Sequence, residues 1–478
     1  MLFNSFPFIF IFLPVMLAGF YSLRAIHRHN EAKIWLILGS IFFYCYYTFQ
    51  NLPVLVFSVV FNFLIGKKVR GNKHLFFFGL FINVLTLAFF KYKNLSLLSL
   101  NWFGNFNLNP ADLIFPLGLS FFTIQQISYL SDCYEGLIEN KKFIDYSLFI
   151  TFFPHLISGP ILDPKKQMPQ LENLEKQHAT SDRFSLGLFL ITIGIAKKVL
   201  IAEFFAPYAK IGFDEAIRPD FFLAWKSTIS YSFQLYYDFS GYTDMSIGLA
   251  HLFLLKLPQN FNSPFKSLSV IEFWSRWHIT LSQFITTYVF TPTVRLFNKI
   301  SFEKMMLATL ISMLISGVWH GDDWTFVLYG LIHGFALIFN HLRKKKKKKL
   351  SPKMAWFFTF VFINLGLVIF RSASISRAHL MIKGLLGLNG VIVPKIGIKN
   401  FGILSQYGFS LGSYFYPKDY LFLMMTIFCF ISIFKFKNSL ELEAQFKPSQ
   451  KIAFLCGIIF SLCLFGMNSI TEFIYFKF

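Results

Sequence analysis

Long apolar runs recur along this chain, and they constrain its fold more than any other feature. The clearest runs lie near residues 5–21, 34–50, 52–65, 75–90, 354–370, 419–436 and 452–470. A helix needs about 20 mainly apolar residues to cross the roughly 30 Å hydrocarbon core of a bilayer. Hydrophobic residues make up 55% of the 478 positions and charged residues only 14%, which leaves little polar surface for a soluble fold. The chain is therefore predicted to be an integral membrane protein.

These runs indicate helices rather than the strands of a membrane β-barrel. A barrel would show segments of roughly 10 residues in which apolar and polar positions alternate, and the sequence has no such segments. We expect an all-α, multi-pass fold with about 11 to 13 transmembrane or partial helices. The run that begins near Leu2 has no basic segment before it and no small-residue cleavage site, so it is predicted to be a first span and not a secretory signal.

The excess of basic residues predicts an orientation. Lysine and arginine number 45 against 24 aspartate and glutamate, a formal net charge of +21. They cluster in short loops such as 24–33 and 67–73 and in the block 343–349, which are expected on the cytoplasmic side. Both termini are then expected outside the cytoplasm. The block also suits contact with anionic membrane lipids, and nucleic acid is not an expected partner.

The chain divides into four regions by the regularity of its apolar runs. Residues 1–112 are predicted to hold N-terminal transmembrane helices, 343–353 a basic cytoplasmic loop, and 354–478 C-terminal transmembrane helices, with an external loop and an amphipathic piece at 372–418. Between them, 113–342 is broken repeatedly by proline, glycine, tryptophan and charged residues. Irregular backbone at membrane depth is tolerated only when it is buried in protein or lines a water-filled cavity. This region is therefore predicted to be the functional core, with broken and re-entrant helices.

One histidine, His278, lies in a polar segment of this core. An ionisable side chain at membrane depth is costly and usually marks a functional site. If the segment is helical, Trp274, His278 and Ser282 share one face at spacings of four, and Glu272 can pair with Arg276. Such a face suits the lining of a polar substrate tunnel. The alternative is a helix at the membrane interface, where tryptophan and arginine are common.

A second histidine, His320, follows a continuous apolar run and is flanked by Gly317 and Gly321. These glycines permit a close backbone approach or a break in the helix. A buried imidazole stays neutral, and neutral imidazole is the commonest general base near neutral pH. His320 is therefore a candidate base, and a hydrogen-bonded core histidine is the alternative. For His333, further along, the core interpretation is favoured.

A third cluster contains two carboxylates, Asp238 and Asp244, among small and aromatic residues that include Ser240 and Tyr242. Buried carboxylates need partners or water. They can orient a histidine, bind an ion, or take part in structural hydrogen bonds at a helix break near Gly241.

Several common catalytic motifs are absent from the sequence. It has no Gly-x-Ser-x-Gly elbow, no nucleotide-binding Gly-x-x-x-x-Gly-Lys-Ser/Thr loop and no His-Glu-x-x-His zinc helix. The five cysteines have no paired spacing that would indicate disulfides or zinc. Nucleotide hydrolysis and standard serine-hydrolase chemistry are therefore poorly supported, and neither a metal nor a permanently bound cofactor is expected.

Five segments, in order, resemble the membrane-bound O-acyltransferase (MBOAT) superfamily, and most closely its bacterial branch typified by the alginate O-acetyltransferase membrane subunit. The segments are Pro116–Asp132, Phe152–Ile161, Gln234–Gly248, Trp274–Ser282 and Gly317–Gly321. The resemblance implies transfer of an acyl group to a hydroxyl, in a helical fold around a central tunnel in the bacterial inner membrane. It implies that His320 is essential and that His278 lies beside the reaction path. The other expected tunnel residues are Trp274, Arg276, Trp277, Ser282, Trp319, Asp238, Ser240, Tyr242 and Asp244.

The resemblance also implies the substrates. The expected donor is an acyl thioester, acetyl-CoA or an acyl-carrier protein, that enters from the cytoplasm. The expected acceptor is a hydroxyl of an extracytoplasmic polysaccharide or glycan. His320 would take the hydroxyl proton, while His278, Trp277 and Ser282 would position the thioester or stabilise the developing oxyanion. Because no soluble catalytic domain is fused to the chain, a separate extracytoplasmic acyltransferase- or esterase-like partner is expected.

Two alternatives remain open from sequence. One is D-alanyl transfer to teichoic acid from a carrier-protein thioester, and the other is a glycan or lipid transporter, although no related halves are visible. The chain also departs from the polysaccharide branch after the segment Trp274–Ser282, which contains His278. It has Thr286-Thr287-Tyr288 and Pro292-Thr293-Val294 where that branch usually has Arg-Asp-Tyr and Pro-Leu-Gly-Gly. The departure leaves the identity of the acceptor open.

Overall fold

The computed structural model is almost entirely helical. It describes residues 1–47, 49–92, 115–138, 142–347, 350–395, 409–414, 417–467 and 473–474. The α-helices are α1 (Leu13–Ala25), α2 (His29–Cys45), α3 (Leu52–Lys68), α4 (Lys73–Lys91), α5 (Leu119–Tyr134), α6 (Phe143–Thr151), α7 (Phe153–Leu156), α8 (Pro164–Glu172), α9 (Ser181–Ala196), α10 (Glu203–Lys210), α11 (Phe221–Leu252), α12 (Val270–Arg276), α13 (Ile279–Ile285), α14 (Thr291–Arg295), α15 (Phe302–His320), α16 (Trp324–Lys345), α17 (Pro352–Arg371), α18 (Ile375–Leu385), α19 (Pro417–Lys435), α20 (Ser439–Gln445) and α21 (Gln450–Gly466). Short π-helical segments lie at Phe8–Phe12, Lys197–Ala202, Ile211–Glu215 and Thr286–Phe290.

Seven of the described helical stretches are long and apolar enough to cross a membrane. They are Phe8–Ala25, Phe49–Lys68, Lys73–Lys91, Ser181–Glu215, Phe302–His320, Trp324–Lys345 and Pro352–Arg371. An eighth span results if α19 and α20, which meet at a 50° bend, cross together. The predicted multi-pass helical fold is confirmed. The count of about 11 to 13 full and partial helices, the central tunnel and the four regional boundaries stay predictions.

One long helix, α11, connects the two hydrophobic cores of the molecule. Its 32 residues extend about 48 Å. Its first half packs in a core with α10, α12, α13 and the α15–α18 group, and its second half packs in a core with α1–α3 and α5–α9. Motif residues on α11 therefore lie between the halves of the molecule.

Helices α9 and α11 touch backbone to backbone through four glycines. A Cβ atom built on Gly187, Gly194, Gly241 or Gly248 would lie only 2.5 to 2.9 Å from a carbonyl oxygen of the facing glycine. Gly241 lies inside the uninterrupted α11. The predicted helix break near Gly241 is therefore wrong, because the absent side chain serves close packing rather than a change of direction.

The segment after α17 contains the predicted amphipathic piece and an unpredicted pair of strands. Helix α18 buries Ala378, Met381 and Leu385 along one side. Strands β1 (Val391–Lys395) and β2 (Phe409–Tyr414) then pair in parallel, with Val391 opposite Phe409. The intervening residues 396–408 lie outside the described ranges.

Candidate active site

His278 occupies a sharp turn between the short helices α12 and α13. Trp277 has an extended backbone, and His278 is left-handed with a φ of 43°. The predicted continuous helix is therefore wrong, and Trp274, His278 and Ser282 do not share one helical face. Their spacing carries information about a face only where the backbone stays helical.

Backbone and side-chain hydrogen bonds from a preceding segment hold this turn. The amide of Asn262 donates to the carbonyl of Arg276 at 2.9 Å, and the amide of Ile279 donates to the carbonyl of Asn260 at 3.0 Å. The side-chain oxygen of Asn260 accepts from the Thr280 hydroxyl at 2.6 Å and from the Thr280 amide at 3.2 Å. A non-glycine residue in the left-handed region costs on the order of 1–3 kcal/mol, and these bonds offset that cost.

The same turn is tied to two other sequence motifs. The Thr280 hydroxyl accepts a hydrogen bond from the amide of Ile161 at 3.0 Å. The ring of Phe239, on α11, meets the buried His278 ring edge-on with centroids 4.8 Å apart. Burial lowers the pKa of the His278 imidazole to about 3. His278 is therefore a neutral ring in a fixed position near pH 7.

His320 is the last residue of α15, and its side chain is buried. Its ring contacts Trp319 at 4.8 Å and Phe370 of α17 at 5.1 Å between centroids. Gly321 continues in an extended conformation against the ring of Phe326, with no space for a side chain. The helix break that these glycines permitted is present at Gly321.

The end of α15 is held by α4 and α5. The Lys91 ammonium donates to the carbonyl of Trp319, and the Tyr92 hydroxyl donates to the carbonyl of Val318 at 3.2 Å. The Trp319 indole in turn donates to the carbonyl of Ser120 at 3.3 Å. The last carbonyls of a helix lack partners within it, and a cation is favoured at that end. Lys91 and Tyr92 therefore cap the helix that carries His320.

The structure brings the two candidate histidines into one site. His278 and Lys91 both lie within electrostatic range of His320. Each histidine lies in a separate segment. The residues next to it in the chain make hydrogen bonds that hold that segment in place. The arrangement therefore has two buried imidazoles that come from separate segments and influence each other electrostatically.

The carboxylates of the third cluster bind lysines. Asp238 pairs with Lys198 at 2.6 Å, and Asp244 pairs with Lys197 at 2.6 Å and accepts from the Ser439 hydroxyl at 2.7 Å. Buried ion pairs need such close geometry to offset their desolvation. Both predicted tunnel residues therefore have structural partners that link α11 to the π-helical segment after α9.

The other predicted tunnel residues of α11 lie in packed surroundings. The ring of Tyr242 stacks on Phe3 at 4.9 Å and meets Phe473 edge-on at 4.8 Å between centroids. Ser240 is buried. These contacts attach α11 to residues near both ends of the chain.

Trp274 and Trp277, the two tryptophans of the segment that contains His278, pack into the core. The Trp274 indole donates to Nδ1 of His333 at 3.2 Å. Trp277 stacks on Phe273 at 5.6 Å and meets Phe261 edge-on at 5.1 Å between centroids. His333 is thus a hydrogen-bonded core histidine, in agreement with the favoured interpretation.

Arg276 supports the histidine turn from outside. It pairs with Glu272 at 2.9 Å, as the spacing predicted, and donates to the carbonyl of Asn262 at 3.1 Å. Ser282 is half-buried on α13. These contacts of Arg276 stabilise the turn at His278. Its role in a tunnel stays a prediction.

Both histidines, Lys91 and the segments that hold them lie within one family match. Residues 41–375, which is more than half of the chain, match the MBOAT, membrane-bound O-acyltransferase family. The chain belongs to the MBOAT family.

This acyltransferase is similar to several curated proteins. It is 41% identical over 427 residues to the peptidoglycan O-acetyltransferase of Helicobacter pylori. The aligned region covers 82% of this chain and 81% of that protein. It is 33% identical over 394 residues to Probable alginate O-acetylase AlgI of Azotobacter vinelandii, with 80% and 77% covered. The teichoic acid D-alanyltransferase of Bacillus subtilis is 28% identical over 284 residues, with 56% and 72% covered. The protein is an O-acyltransferase, and it is more similar to these O-acetyltransferases than to that D-alanyltransferase.

The acyltransferase core also contains a buried histidine that the sequence analysis did not single out. Nδ1 of His155 lies 3.2 Å from the side-chain nitrogen of Gln125. Burial lowers the pKa of the His155 imidazole to about 3. Its position inside the Phe152–Ile161 motif was the available signal. No group of three or more histidine, cysteine or acidic residues suited to a metal occurs within the described ranges.

Proposed function

We propose that this acyltransferase moves an acetyl group from a cytoplasmic thioester, acetyl-CoA or an acyl-carrier protein, to hydroxyls of an extracytoplasmic glycan. It lies in the bacterial inner membrane with its basic loops in the cytoplasm. The 41% identity to a peptidoglycan O-acetyltransferase supports peptidoglycan as the acceptor. The similarity to an alginate O-acetylase supports acetyl as the transferred group.

The observation that carries the proposal is the placement of His320. Its ring is buried at a capped helix end, within electrostatic range of His278. A sugar hydroxyl is a weak acid and reacts slowly without a base. A positioned general base contributes about 10²–10⁴-fold to the rate of such a step.

The proposed reaction needs only two side chains of the protein, His320 and His278. His320 accepts the hydroxyl proton while the oxygen attacks the thioester carbonyl carbon. The tetrahedral oxyanion then collapses, the carbon–sulfur bond breaks, and the leaving thiolate takes the proton from His320. His278 lies beside this path, where a ring N–H can stabilise the oxyanion. The products are an O-acetyl ester and a free thiol, and His320 is neutral again.

A separate esterase-like partner on the outer side completes the transfer in a second route. In that route the acetyl group passes first to the partner and then to the glycan. This route stays a prediction, because it rests on the family resemblance alone.

The test of the base is the substitution His320→Ala. We expect acetate released from purified peptidoglycan by mild alkali to fall by roughly 10²-fold or more, with the protein still present in the membrane. His341→Ala is a matched control, because His341 is a half-buried histidine on α16 outside the site. If the His320→Ala strain keeps wild-type acetyl content, the assigned role is wrong.

The same material identifies the acyl group and the route. Release of D-alanine instead of acetate would contradict the acetyl assignment. Purified enzyme in proteoliposomes with labelled acetyl-CoA and isolated peptidoglycan then distinguishes direct transfer from transfer that needs the partner.

A further inference from the structure

A large groove opens between α16 and α17 at the basic end of the helical hairpin. Its volume is about 870 Å³, which lies in the range of roughly 300–1,000 Å³ that is usual for ligand pockets. Neither candidate histidine lines it. Its lining includes Ala336, Phe339, Asn340, Arg343, Lys346 and Ala355.

The walls of the groove are apolar and face the bilayer. On α16, Ala336 and Phe339 point the same way, and on α17, Ala355, Phe358 and Phe362 recur at helical spacing. Phe339 is 59% exposed and Phe358 is 53% exposed. Both helices are long and apolar enough to cross a membrane. Their exposed rings therefore contact hydrocarbon, and a lipid chain matches the walls.

One end of the groove is positively charged. Arg343 and Lys346 continue the α16 face that contains Phe339 and Asn340. They belong to the unbroken basic run 343–349. Basic clusters directly after a membrane helix attract anionic lipids.

We propose that this groove binds one anionic phospholipid of the cytoplasmic leaflet. The phosphate lies at Arg343 and Lys346, and an acyl chain lies along Ala336 and Ala355. A free phosphate would contact only the charged end. The groove also has an apolar wall that continues from that end, as a lipid chain continues from its phosphate. The occupant is therefore a lipid.

The groove is connected to the histidine site by both of its walls. The Asn340 side chain accepts from the amide of Val270, the first residue of α12, at 3.3 Å. Helix α12 ends immediately before the His278 turn. At the far end of the other wall, Phe370 contacts His320. A bound lipid would therefore stabilise two of the helices that position the site.

The test compares two double substitutions that remove the same charge. Full-length protein in detergent is mixed with dioleoylphosphatidylglycerol or dioleoylphosphatidylcholine, and bound lipid is counted by native mass spectrometry. For Arg343→Gln with Lys346→Gln we expect phosphatidylglycerol binding about 30-fold weaker, the equivalent of about 1 kcal/mol for each residue. For Lys344→Gln with Lys347→Gln, exposed neighbours outside the groove, we expect less than a threefold change.

Two further arms separate a lipid site from a charge effect or a phosphate site. Ala355→Trp fills the apolar wall without changing charge, and we expect it to weaken phosphatidylglycerol binding several-fold. Millimolar sn-glycerol 3-phosphate should leave the bound lipid in place. Equal losses in the two double variants, wild-type binding in Ala355→Trp, or displacement by glycerol 3-phosphate would each overturn the proposal.

Discussion

At the scale of single residues, one threonine joins three segments around His278. The Thr280 hydroxyl donates to Asn260 and accepts from the amide of Ile161. All of these groups are buried. A buried donor that loses its acceptor costs about 1–3 kcal/mol. The left-handed conformation of His278 therefore depends on a hydroxyl that does not belong to the histidine.

Thr280→Val keeps the shape of the side chain and removes this hydroxyl. We expect the acetylation rate to fall roughly tenfold, within the range that 1–3 kcal/mol allows, with the loss in kcat rather than in KM for the donor. Initial rates in proteoliposomes against acetyl-CoA concentration measure both constants.

Thr280→Ser should restore most of the rate, because it returns the hydroxyl. Thr309→Val is the matched control, since the Thr309 hydroxyl bonds only to the preceding turn of α15. A Thr280→Val enzyme that behaves like Thr309→Val would show that the hydroxyl does not position His278.

Residue partners were the least predictable part of the site. The shared helical face predicted for Trp274, His278 and Ser282 was wrong, because the turn at His278 depends on hydrogen bonds from residues 260–262, which periodicity does not register. Asp238 and Asp244 were recognised as buried carboxylates, yet their partners Lys198 and Lys197 lie far earlier in the chain, 47 positions away for Asp244. The histidines themselves were predictable because they stand out against apolar neighbours.

At the scale of elements, the end of one helix caps another. Helix α4 ends at Lys91, and its ammonium reaches the carbonyl of Trp319 in the last turn of α15. The contact combines a hydrogen bond with the favourable interaction of a cation and a helix C-terminus. The position of His320 along its axis is therefore fixed by a neighbouring span.

Lys91→Met retains the apolar stem of the side chain and removes the cap. We expect a roughly tenfold loss of kcat, as for a lost hydrogen bond of a charged donor, with little change in KM for acetyl-CoA. Lys91→Arg should recover much of the rate, because a guanidinium also donates.

Lys73→Met is the control for this change. Lys73 begins the same helix, at its opposite end, and is exposed. Equal activities for Lys91→Met and Lys73→Met would contradict the proposed positioning role.

The apolar spans were predictable because their length is set by the bilayer and needs no partner. The predicted runs 75–90 and 354–370 correspond to Lys73–Lys91 and Pro352–Arg371. Strands β1 and β2 were missed, because each is short and depends on pairing with a segment well separated in sequence.

At the scale of the whole molecule, the basic loops and His320 lie at opposite ends of their helices. Helix α4 begins after the basic loop 67–73 and extends about 28 Å to Lys91. Helix α16 begins near His320 and ends in the basic run 343–349. If the basic loops lie in the cytoplasm, as proposed, His320 is expected toward the outer leaflet, nearer to a glycan acceptor.

Cysteine labelling tests this orientation. In intact cells, a membrane-impermeant maleimide should label Leu388→Cys, an exposed position after α18. Lys347→Cys should react only after the membrane is permeabilised. The unmodified protein gives the background from its five native cysteines, of which Cys133, Cys429 and Cys463 are buried. The reverse pattern would overturn the orientation. The predicted outer C-terminus falls on residues 475–478, outside the described ranges.

The glycine contact between α9 and α11 has a mechanical consequence. Two helices separated by side chains can slide as those side chains change rotamer, but here carbonyl oxygens of one helix lie against glycines of the other. Dense packing of this kind leaves no compressible layer. We therefore expect α9 and α11 to move together as one rigid unit. Any opening that admits substrate must be accommodated by the helices around it, including the α15–α17 group that carries His320.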